Sequence, residues 1–208
     1  KAKYLPLLAS GEQMAAYCLS EAGSGSDALG MKAKAVRSAD GSHYVLNGAK
    51  MWITNGTQAD WICLLCNTSD GAPHKNKSLI IVPLKENGQR TRGVQVQKIR
   101  KFGMWSSDTA QIFFDNVRVP VRNRIGEEGM GFIYQMQQFQ EERLWCAANS
   151  VQSLINCIDQ TIAYTRERTA FGHAILDNQT VHFKLAELKT EVESLRALTY
   201  MATEYYVA

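Results

Sequence analysis

Three features are scarce in this 208-residue chain: long apolar runs, paired cysteines and an excess of charge of one sign. No apolar run approaches the ~20 residues that a helix needs to cross a bilayer, so the sequence predicts no transmembrane segment. The net charge is only +3 and the basic residues are scattered, whereas a nucleic-acid-binding domain is usually more basic and clustered. A composition of 45% hydrophobic and 21% charged residues predicts a globular protein with a substantial core.

The five cysteines are an odd number and show no disulfide framework. Cys63 and Cys66 have the Cys-x-x-Cys spacing of metal and redox sites, but they lie in the apolar run 61–66, which predicts a strand. Residues three apart on a strand point to opposite faces, so we expect two packed core thiols. The histidines show no mutual spacing pattern either, and the sequence predicts no metal site: His43, His74, His173 and His182.

Residues 14–125 are rich in short β-forming runs separated by turn sequences. The dipeptide Asn47-Gly48 is typical of a hairpin turn, and it is followed by a predicted strand over 51–54 and a second turn at Asn55-Gly56. Many short strands without intervening helices predict a sandwich or a closed antiparallel β-barrel.

After Gly126 the apolar residues recur at steps of three and four, which predicts two amphipathic helices. The first begins near Gly129 and ends before Phe171, and the second begins near Asp177, a good N-cap residue. Each helix has one apolar stripe along its length. Two helices alone cannot bury both apolar stripes, so we expect a homodimer or homotetramer. The stripes are Ile133, Met136, Gln140, Leu144, Ala147, Val151, Leu154, Ile158 and Ile162, then Val181, Leu185, Leu188, Val192, Leu195, Ala202 and Tyr205.

A loop of glycines and hydroxyls follows a short apolar strand at residues 17–27. Such a loop exposes backbone N–H groups that can bind an anion, although composition alone also fits a plain surface turn. The run Gly23–Ala28 matches the dinucleotide fingerprint, but strand-like sequence follows where a helix should begin, so we reject a Rossmann unit. Trp52 and Thr54 are expected on one strand face, where they could form a wall for a flat ring.

These segments, in this order and at this spacing, resemble the acyl-CoA dehydrogenase family over nearly the whole chain. The resemblance implies an α+β multidomain protein, with a β-barrel domain at 14–125 and the first part of a helical bundle at 126–208. Family members are considerably longer, so we expect a fragment in which residues 1–13 are a linker or remnant of an N-terminal helical domain. The later matching segments are Lys98–Ser107, Phe113–Pro120, Arg166–Gly172 and Gln179.

The resemblance implies FAD as the cofactor, with its ring against Trp52–Thr54. It also implies that Arg168 contacts the FAD pyrophosphate of a neighbouring subunit and that Phe171 lies by the adenine. From spacing alone, Arg168 and Phe171-Gly172 are more typical of a helix C-terminus with a cation and a C-cap glycine. The implied flavin contacts are Tyr17, Cys18, Leu19, Ser20, Gly25, Ser26, Trp52, Ile53, Thr54, Arg168, Thr169, Ala170, Phe171, Asn178 and Gln179.

The implied reaction is the α,β-dehydrogenation of an acyl-CoA to a trans-2-enoyl-CoA, in which a carboxylate removes the α-proton. In the long-chain and isovaleryl types this glutamate lies on the first helix of the C-terminal domain, directly before an arginine. Glu142 directly precedes Arg143 here, so Glu142, and not Glu141, is the implied base. By composition alone, such a helical glutamate is usually a solvated surface residue. The implied substrate contacts are Ser26, Gln140 and Arg143.

The resemblance further implies an electron-transfer flavoprotein as the electron acceptor. Two alternatives stay open: an acyl-CoA oxidase that uses O₂, and a non-catalytic scaffold with the same fold. We expect a mitochondrial matrix location in a eukaryote and a cytoplasmic one otherwise. The sequence indicates no nucleic-acid partner, and it does not determine the acyl chain.

Overall fold

A computed structural model describes residues 1–208, which form two compact units, residues 1–135 and residues 136–208. None of the helices is both long enough and apolar enough to span a membrane. The three helices are α1 (Leu5–Ala9), α2 (Gly131–Glu167) and α3 (Gln179–Val207). The strands are β1 (Ala15–Cys18), β2 (Lys34–Arg37), β3 (His43–Thr54), β4 (Trp61–Asn67), β5 (Lys77–Pro83), β6 (Lys85–Glu86), β7 (Gln89–Arg90), β8 (Val94–Lys98), β9 (Thr109–Pro120), β10 (Arg124–Ile125), β11 (Thr169–Ala170) and β12 (His173–Ala174).

The first unit is built on one sheet with the strand order β10-β5-β4-β2-β3-β9-β8, and β1 pairs with β4 beside this path. Most pairings are antiparallel, but β1 and β2 pair with β4 in parallel, so the prediction of a purely antiparallel sheet is wrong there. The path has two ends, β10 and β8, and closure into a barrel stays a prediction. The sheet-rich part followed by a helical part agrees with the predicted fold class.

The core of the first unit separates the two cysteines of the Cys-x-x-Cys spacing. Cys66 belongs to the main cluster around Tyr44 and Leu46, whereas Cys63 packs on a smaller cluster that contains Leu65. Burial raises the pKa of both thiols to about 12, so neither is a thiolate at neutral pH. All five cysteines are unpaired, and no group of three or more acidic, histidine or cysteine side chains forms a possible metal site.

The predicted hairpin turn at Asn47-Gly48 is wrong, because β3 runs through it without interruption. Leu46 pairs with Val117 and Gly48 pairs with Phe114, so the extra residue of a β-bulge lies in β9. Glycine is required for a steric reason: a Cβ at Gly48 would lie 2.7 Å from Cα of Ala33, directly before the neighbouring strand β2. The Asn-Gly signal therefore marks a close approach of two strands.

In the second unit, α2 and α3 pack through Val151, Ile158, Leu185 and Val192. This core agrees with the middle of both predicted stripes. Single positions of the stripes are wrong: Leu154 in the middle of the first and Tyr205 at the end of the second are exposed, whereas Ile155 and Thr199 take inward positions. A helix has 3.6 residues per turn. A stripe predicted from steps of three and four residues therefore shifts gradually around a long helix.

The second helix begins two residues later than predicted. Asp177 ends a short 3₁₀ turn, and Asn178 is the N-cap of α3. Asn178 makes no side-chain cap, because its Nδ2 donates instead to the carbonyl oxygen of Ile175 at 3.0 Å.

Candidate functional site

Trp52 lies at a second β-bulge, this time in β3 itself. Lys50 pairs with Ile112 and Ile53 pairs with Ala110. Between these two pairs, β3 therefore contains one residue more than β9. Trp52 has φ 65°, a left-handed conformation that is uncommon for a bulky residue. Bulges of this kind re-aim side chains and are frequent beside functional sites.

The bulge reverses the inward–outward alternation of β3. Leu46 and Lys50 are buried ahead of it, and the odd-numbered Ile53 is buried after it. Trp52 is therefore 55% exposed, and Thr54 is exposed as well. Both side chains are accessible, whereas strict alternation from Lys50 would have buried Trp52, and the expectation that Trp52 and Thr54 share one strand face stays a prediction.

The glycine-hydroxyl loop after β1 is closed by reciprocal backbone hydrogen bonds. The N–H of Glu21 donates to Ser24 O at 2.8 Å, and the N–H of Ser24 donates to Glu21 O at 3.1 Å. Ser24 Oγ donates to the carbonyl oxygen of Asp27. Ser24 is consequently buried, whereas Gly25 and Ser26 are exposed.

Gly25 and Ser26 keep free hydrogen-bond donors. Their backbone N–H groups donate to no acceptor within the chain, and a Cβ at Gly25 would meet nothing within 4 Å. Consecutive free N–H groups beside a serine hydroxyl suit an anionic oxygen. Together with the exposed Trp52 indole, these groups fit a ligand that combines a flat ring with phosphate.

The structure joins this loop directly to the bulged strand. The N–H of Met51 donates to Ser20 O at 2.8 Å, and Lys50 Nζ donates to Leu19 O at 2.6 Å. Lys50 Nζ also forms an ion pair with Glu21 Oε1 at 3.0 Å. The two segments that sequence reasoning assigned to a single flavin site are therefore in contact in the first unit.

The Lys50–Glu21 ion pair is almost completely buried, with 0% and 10% of the two side chains exposed. Glu21 also accepts hydrogen bonds from the N–H groups of Lys32 at 2.7 Å and Ala33 at 2.9 Å. Burial alone would raise the pKa of the Glu21 carboxyl, but the Lys50 ammonium and the two N–H groups outweigh it and lower the pKa. Glu21 is therefore a stable carboxylate at neutral pH.

Tyr17 and Cys18 end β1 at the entrance to the loop. Cys18 is fully buried in the main core, and burial raises the pKa of its thiol. The whole residue, backbone included, is 0% exposed. The Tyr17 hydroxyl donates to Oε1 of the buried Gln135.

On α2, the two adjacent glutamates differ in their partners. Glu141 Oε1 accepts a hydrogen bond from the Tyr206 hydroxyl at 2.9 Å, which ties α2 to α3. Glu142 is exposed and forms no hydrogen bond or ion pair within the chain. Glu142 is thus available to a ligand, whereas Glu141 already has a structural partner.

The residues around Glu142 are accessible as well. Gln140 and Arg143 are exposed on the same turn, and the Arg143 guanidinium lies 5.5 Å from the centre of the Phe139 ring. Trp145, three residues after Glu142, is 69% exposed. This helix face carries a carboxylate, a cation and an aromatic ring together.

The segment after α2 is a β-hairpin, so the interpretation of Gly172 as a helix C-cap is wrong. The helix ends at Glu167, and β11 pairs with β12 around a two-residue turn. Phe171 has φ 54° and Gly172 has φ 85°, as a type I′ turn requires. Phe171 is 100% exposed at the tip, and Arg168 and Thr169 at the base are exposed too.

The predicted contacts of the second unit form two separate groups. Asn178 and Gln179 start α3 just after the hairpin of Thr169–Ala174, whereas Glu142 lies near the other end of α2. At 1.5 Å per residue, Glu142 and Arg168 are roughly 39 Å apart along the helix. One chain therefore does not bring Glu142 and the hairpin together.

Sequence reasoning missed the role of Lys50 and Glu21. A signal was available, because Lys50 continues the even-numbered alternation of Tyr44 and Leu46 and therefore falls on the core side of β3. A lysine that is buried needs a carboxylate or several acceptors. Glu21 stands at the opening of the loop and supplies that carboxylate.

Comparisons with known proteins identify relatives for both units. The acyl-CoA dehydrogenase middle domain matches residues 16–117, and the acyl-CoA dehydrogenase C-terminal domain matches residues 129–208. A mitochondrial isovaleryl-CoA dehydrogenase of Oryza sativa subsp. japonica is 40% identical over 200 residues, which are 96% of this chain and 47% of that protein. The chain thus spans about half the length of the curated relatives it matches.

Solved structures agree in fold. An acyl-CoA dehydrogenase from Geobacillus kaustophilus has a TM-score of 0.88 and 37% identity, over 98% of this chain and 53% of that one. An acyl-CoA dehydrogenase complexed with FAD from Bacillus anthracis has a TM-score of 0.86 and 34% identity, over 96% of this chain and 33% of that one.

Proposed function

The chain belongs to the acyl-CoA dehydrogenase family, and on this premise we propose that it serves FAD-dependent α,β-dehydrogenation of acyl-CoA thioesters. The observation that carries the proposal is the junction of the glycine-hydroxyl loop with the Trp52 bulge through the Met51–Ser20 hydrogen bond of 2.8 Å. This junction supports the proposal because it ties the loop that carries the free N–H donors to the strand that carries the exposed indole.

The residues of the first unit that would hold the flavin are Trp52 to Thr54 and the loop from Tyr17 to Ser26. When bound, FAD supplies the acceptor for the hydride that leaves the substrate β-carbon. The exposed Trp52 indole would cover one face of the ring and exclude water from it. The free N–H groups of Gly25 and Ser26 would bind phosphate, and the Ser26 hydroxyl would also contact the substrate.

Glu142 is the proposed base. It removes the α-proton of the thioester, and it is free to do so because no group of the chain engages its carboxylate. Enclosure by substrate would desolvate the carboxylate and make it more basic. The neighbouring Gln140 and Arg143 contact the substrate, and Arg143 keeps positive charge beside the developing negative charge.

The proposed site is shared between two copies of the chain. Glu142 lies on α2 roughly 39 Å from Arg168, which directly follows the helix, so the two residues of one chain are far apart. The exposed hairpin therefore serves the flavin of a partner, with Arg168 at the pyrophosphate and the fully exposed Phe171 at the adenine. Thr169, Ala170, Asn178 and Gln179 complete this contact.

Further parts of the proposal come from the family. The electron acceptor is an electron-transfer flavoprotein, and the location is the mitochondrial matrix if the source is eukaryotic. A closed β-barrel for residues 14–125 is supported by the main core cluster, which draws side chains from both halves of the sheet path. The position of Glu142 directly before Arg143 favours the isovaleryl or long-chain types.

The direct test is product formation. The purified protein, supplied with FAD, is incubated with a panel of straight and branched acyl-CoAs and an electron-accepting dye, and the thioesters are analysed by mass spectrometry. We expect an enoyl-CoA that lacks two hydrogens relative to its substrate. Absence of product from every acyl-CoA would contradict the proposal, and peroxide release in air without dye would favour an oxidase.

A further inference from the structure

The Lys50–Glu21 pair takes no part in the proposed proton transfer, yet it holds the base of the glycine-hydroxyl loop. Lys50 Nζ donates to Leu19 O at 2.6 Å and to Glu21 Oε1 at 3.0 Å. Between these contacts, Ser20 O accepts from Met51 N–H at 2.8 Å. Three consecutive loop residues are therefore each bonded to residue 50 or 51.

Glu21 extends the connection to the other side of the loop. Its carboxylate accepts from the N–H groups of Lys32 at 2.7 Å and Ala33 at 2.9 Å. Ala33 in turn lies against Gly48, where any Cβ would be only 2.7 Å from its Cα. The start of the loop and the segment Lys32–Ala33 that follows it are thus both held close to β3.

Lys50 also stands directly before the bulge that exposes Trp52. It is the last buried even-numbered residue of β3, and Ile53 is the first buried residue after the bulge. As long as Lys50 is held inside by Glu21 and Leu19 O, the bulge must fall between residues 50 and 53. The ion pair therefore holds Lys50 inside directly ahead of the bulge, and the buried Ile53 limits the bulge on its other side.

A buried ion pair is weak evidence for stability, because well-packed apolar side chains often stabilise a core equally well. What apolar side chains lack is direction: they cannot bind Leu19 O and a carboxylate at the same time. The pair is therefore better explained by the geometry that it imposes on the loop and the bulge.

We propose that Lys50 is a positioning residue, which acts through Glu21 and Leu19 to set the glycine-hydroxyl loop against Trp52 for flavin binding. This inference rests on the proposed function. The ion pair then has two roles: each charge compensates the other inside the core, and the pair orients the loop.

The test compares Lys50→Met, Glu21→Gln and the double variant Glu21→Gln/Lys50→Met. Melting temperature, FAD affinity and hydrogen exchange of the Met51 amide in the FAD-free protein are measured. For Lys50→Met we expect at least about tenfold faster Met51 exchange and about tenfold weaker FAD binding, the effect of losing a charged hydrogen bond. In the double variant the site is neutral, so the melting temperature recovers, but Met51 exchange and FAD affinity stay at the single-variant values.

Lys85→Met is the matched control, because Lys85 Nζ likewise binds one carbonyl oxygen, Gln58 O at 2.7 Å, and one carboxylate, Asp60 at 3.0 Å. We expect it to leave FAD affinity and Met51 exchange unchanged. A double variant with wild-type FAD affinity and a protected Met51 amide would overturn the inference. A wild-type protein that binds no FAD, but whose Met51 amide responds to Lys50→Met, would contradict the proposed function and still support the orienting role.

Discussion

Glu142 and Glu141 are adjacent in sequence, and only their partners distinguish them. Because Glu142 alone is free, we expect Glu142→Gln to lower the rate of enoyl-CoA formation by about 10²- to 10⁴-fold, as for loss of a general base. FAD affinity should be unchanged, since the residue lies outside the proposed flavin contacts. Steady-state turnover and FAD titration check both expectations.

Glu141→Gln is the control, since it keeps a side-chain oxygen that can accept from the Tyr206 hydroxyl. It should retain turnover within a few-fold of wild type. Equal loss in the two variants, or loss in Glu141→Gln alone, would remove Glu142 from the mechanism.

Glu21 makes the free energy of unfolding depend on pH, so that the protein loses stability in acid. Its pKa is lowered in the folded state by Lys50 and by the Lys32 and Ala33 N–H groups, against the effect of burial. A carboxyl with a lowered pKa stabilises the fold above its unfolded-state pKa, and this stability is lost as pH falls through the folded-state pKa. The free energy of unfolding of wild type should therefore exceed that of Glu21→Gln at about pH 7, and the difference should shrink below about pH 4. Urea unfolding at both pH values measures it, and a difference independent of pH would contradict the assignment.

For single residues, the sequence predicts which side chains are exposed better than it predicts the contacts that expose them. The accessible Trp52 was expected from its spacing to Thr54, yet the structure exposes it through a bulge that no local signal marks. A helical glutamate such as Glu142 is expected to be solvated, and it is exposed, but its freedom from Tyr206 depends on α3, which is more than sixty residues away in sequence. Local residue spacing does not predict contacts between residues that are so far apart in sequence.

Among the elements, β3 carries the feature that sequence reasoning misjudged most. Gly48 has φ 137° and lies against Ala33, so we expect Gly48→Ala to destabilise the fold by about 2–3 kcal/mol. Gly23→Ala is the control, because a Cβ there meets nothing within 4 Å. Thermal or urea unfolding compares the two, and equal stabilities would contradict the close approach of β2 and β3.

The hairpin after α2 illustrates why a glycine alone does not define an element. Gly172 with φ 85° could end a helix or complete a type I′ turn, since both need a left-handed residue. The pairing of Thr169 with Ala174 and of Ala170 with His173 decides for the turn. The spacing of Arg168 and Gly172 favours a helix end, because composition does not encode the pairing between β11 and β12 that decides for the turn.

For the whole molecule, the separation of the hairpin and Glu142 within the second unit is the feature that matters. A site shared between two copies predicts complementation. Trp52→Ala and Phe171→Ala should each be inactive or weakly active when expressed alone, whereas coexpression should restore activity. Randomly paired dimers would give about one quarter of wild-type activity, because half are hybrids with one intact site of two.

Phe171→Ala suits this experiment because its ring is 100% exposed and contributes nothing to the core. Turnover per FAD in the coexpressed mixture is the measurement. Activity no higher than the mean of the two separate variants would show that one chain supplies both residues of a site.

The central claim, flavin reduction by an acyl-CoA thioester, is tested most directly by anaerobic titration of the FAD-loaded protein. Isovaleryl-CoA and straight-chain acyl-CoAs are added in turn, and the absorbance of oxidised flavin is followed. The proposed function predicts that at least one of these thioesters bleaches the flavin stoichiometrically. Flavin that stays bound and oxidised with every acyl-CoA would contradict it.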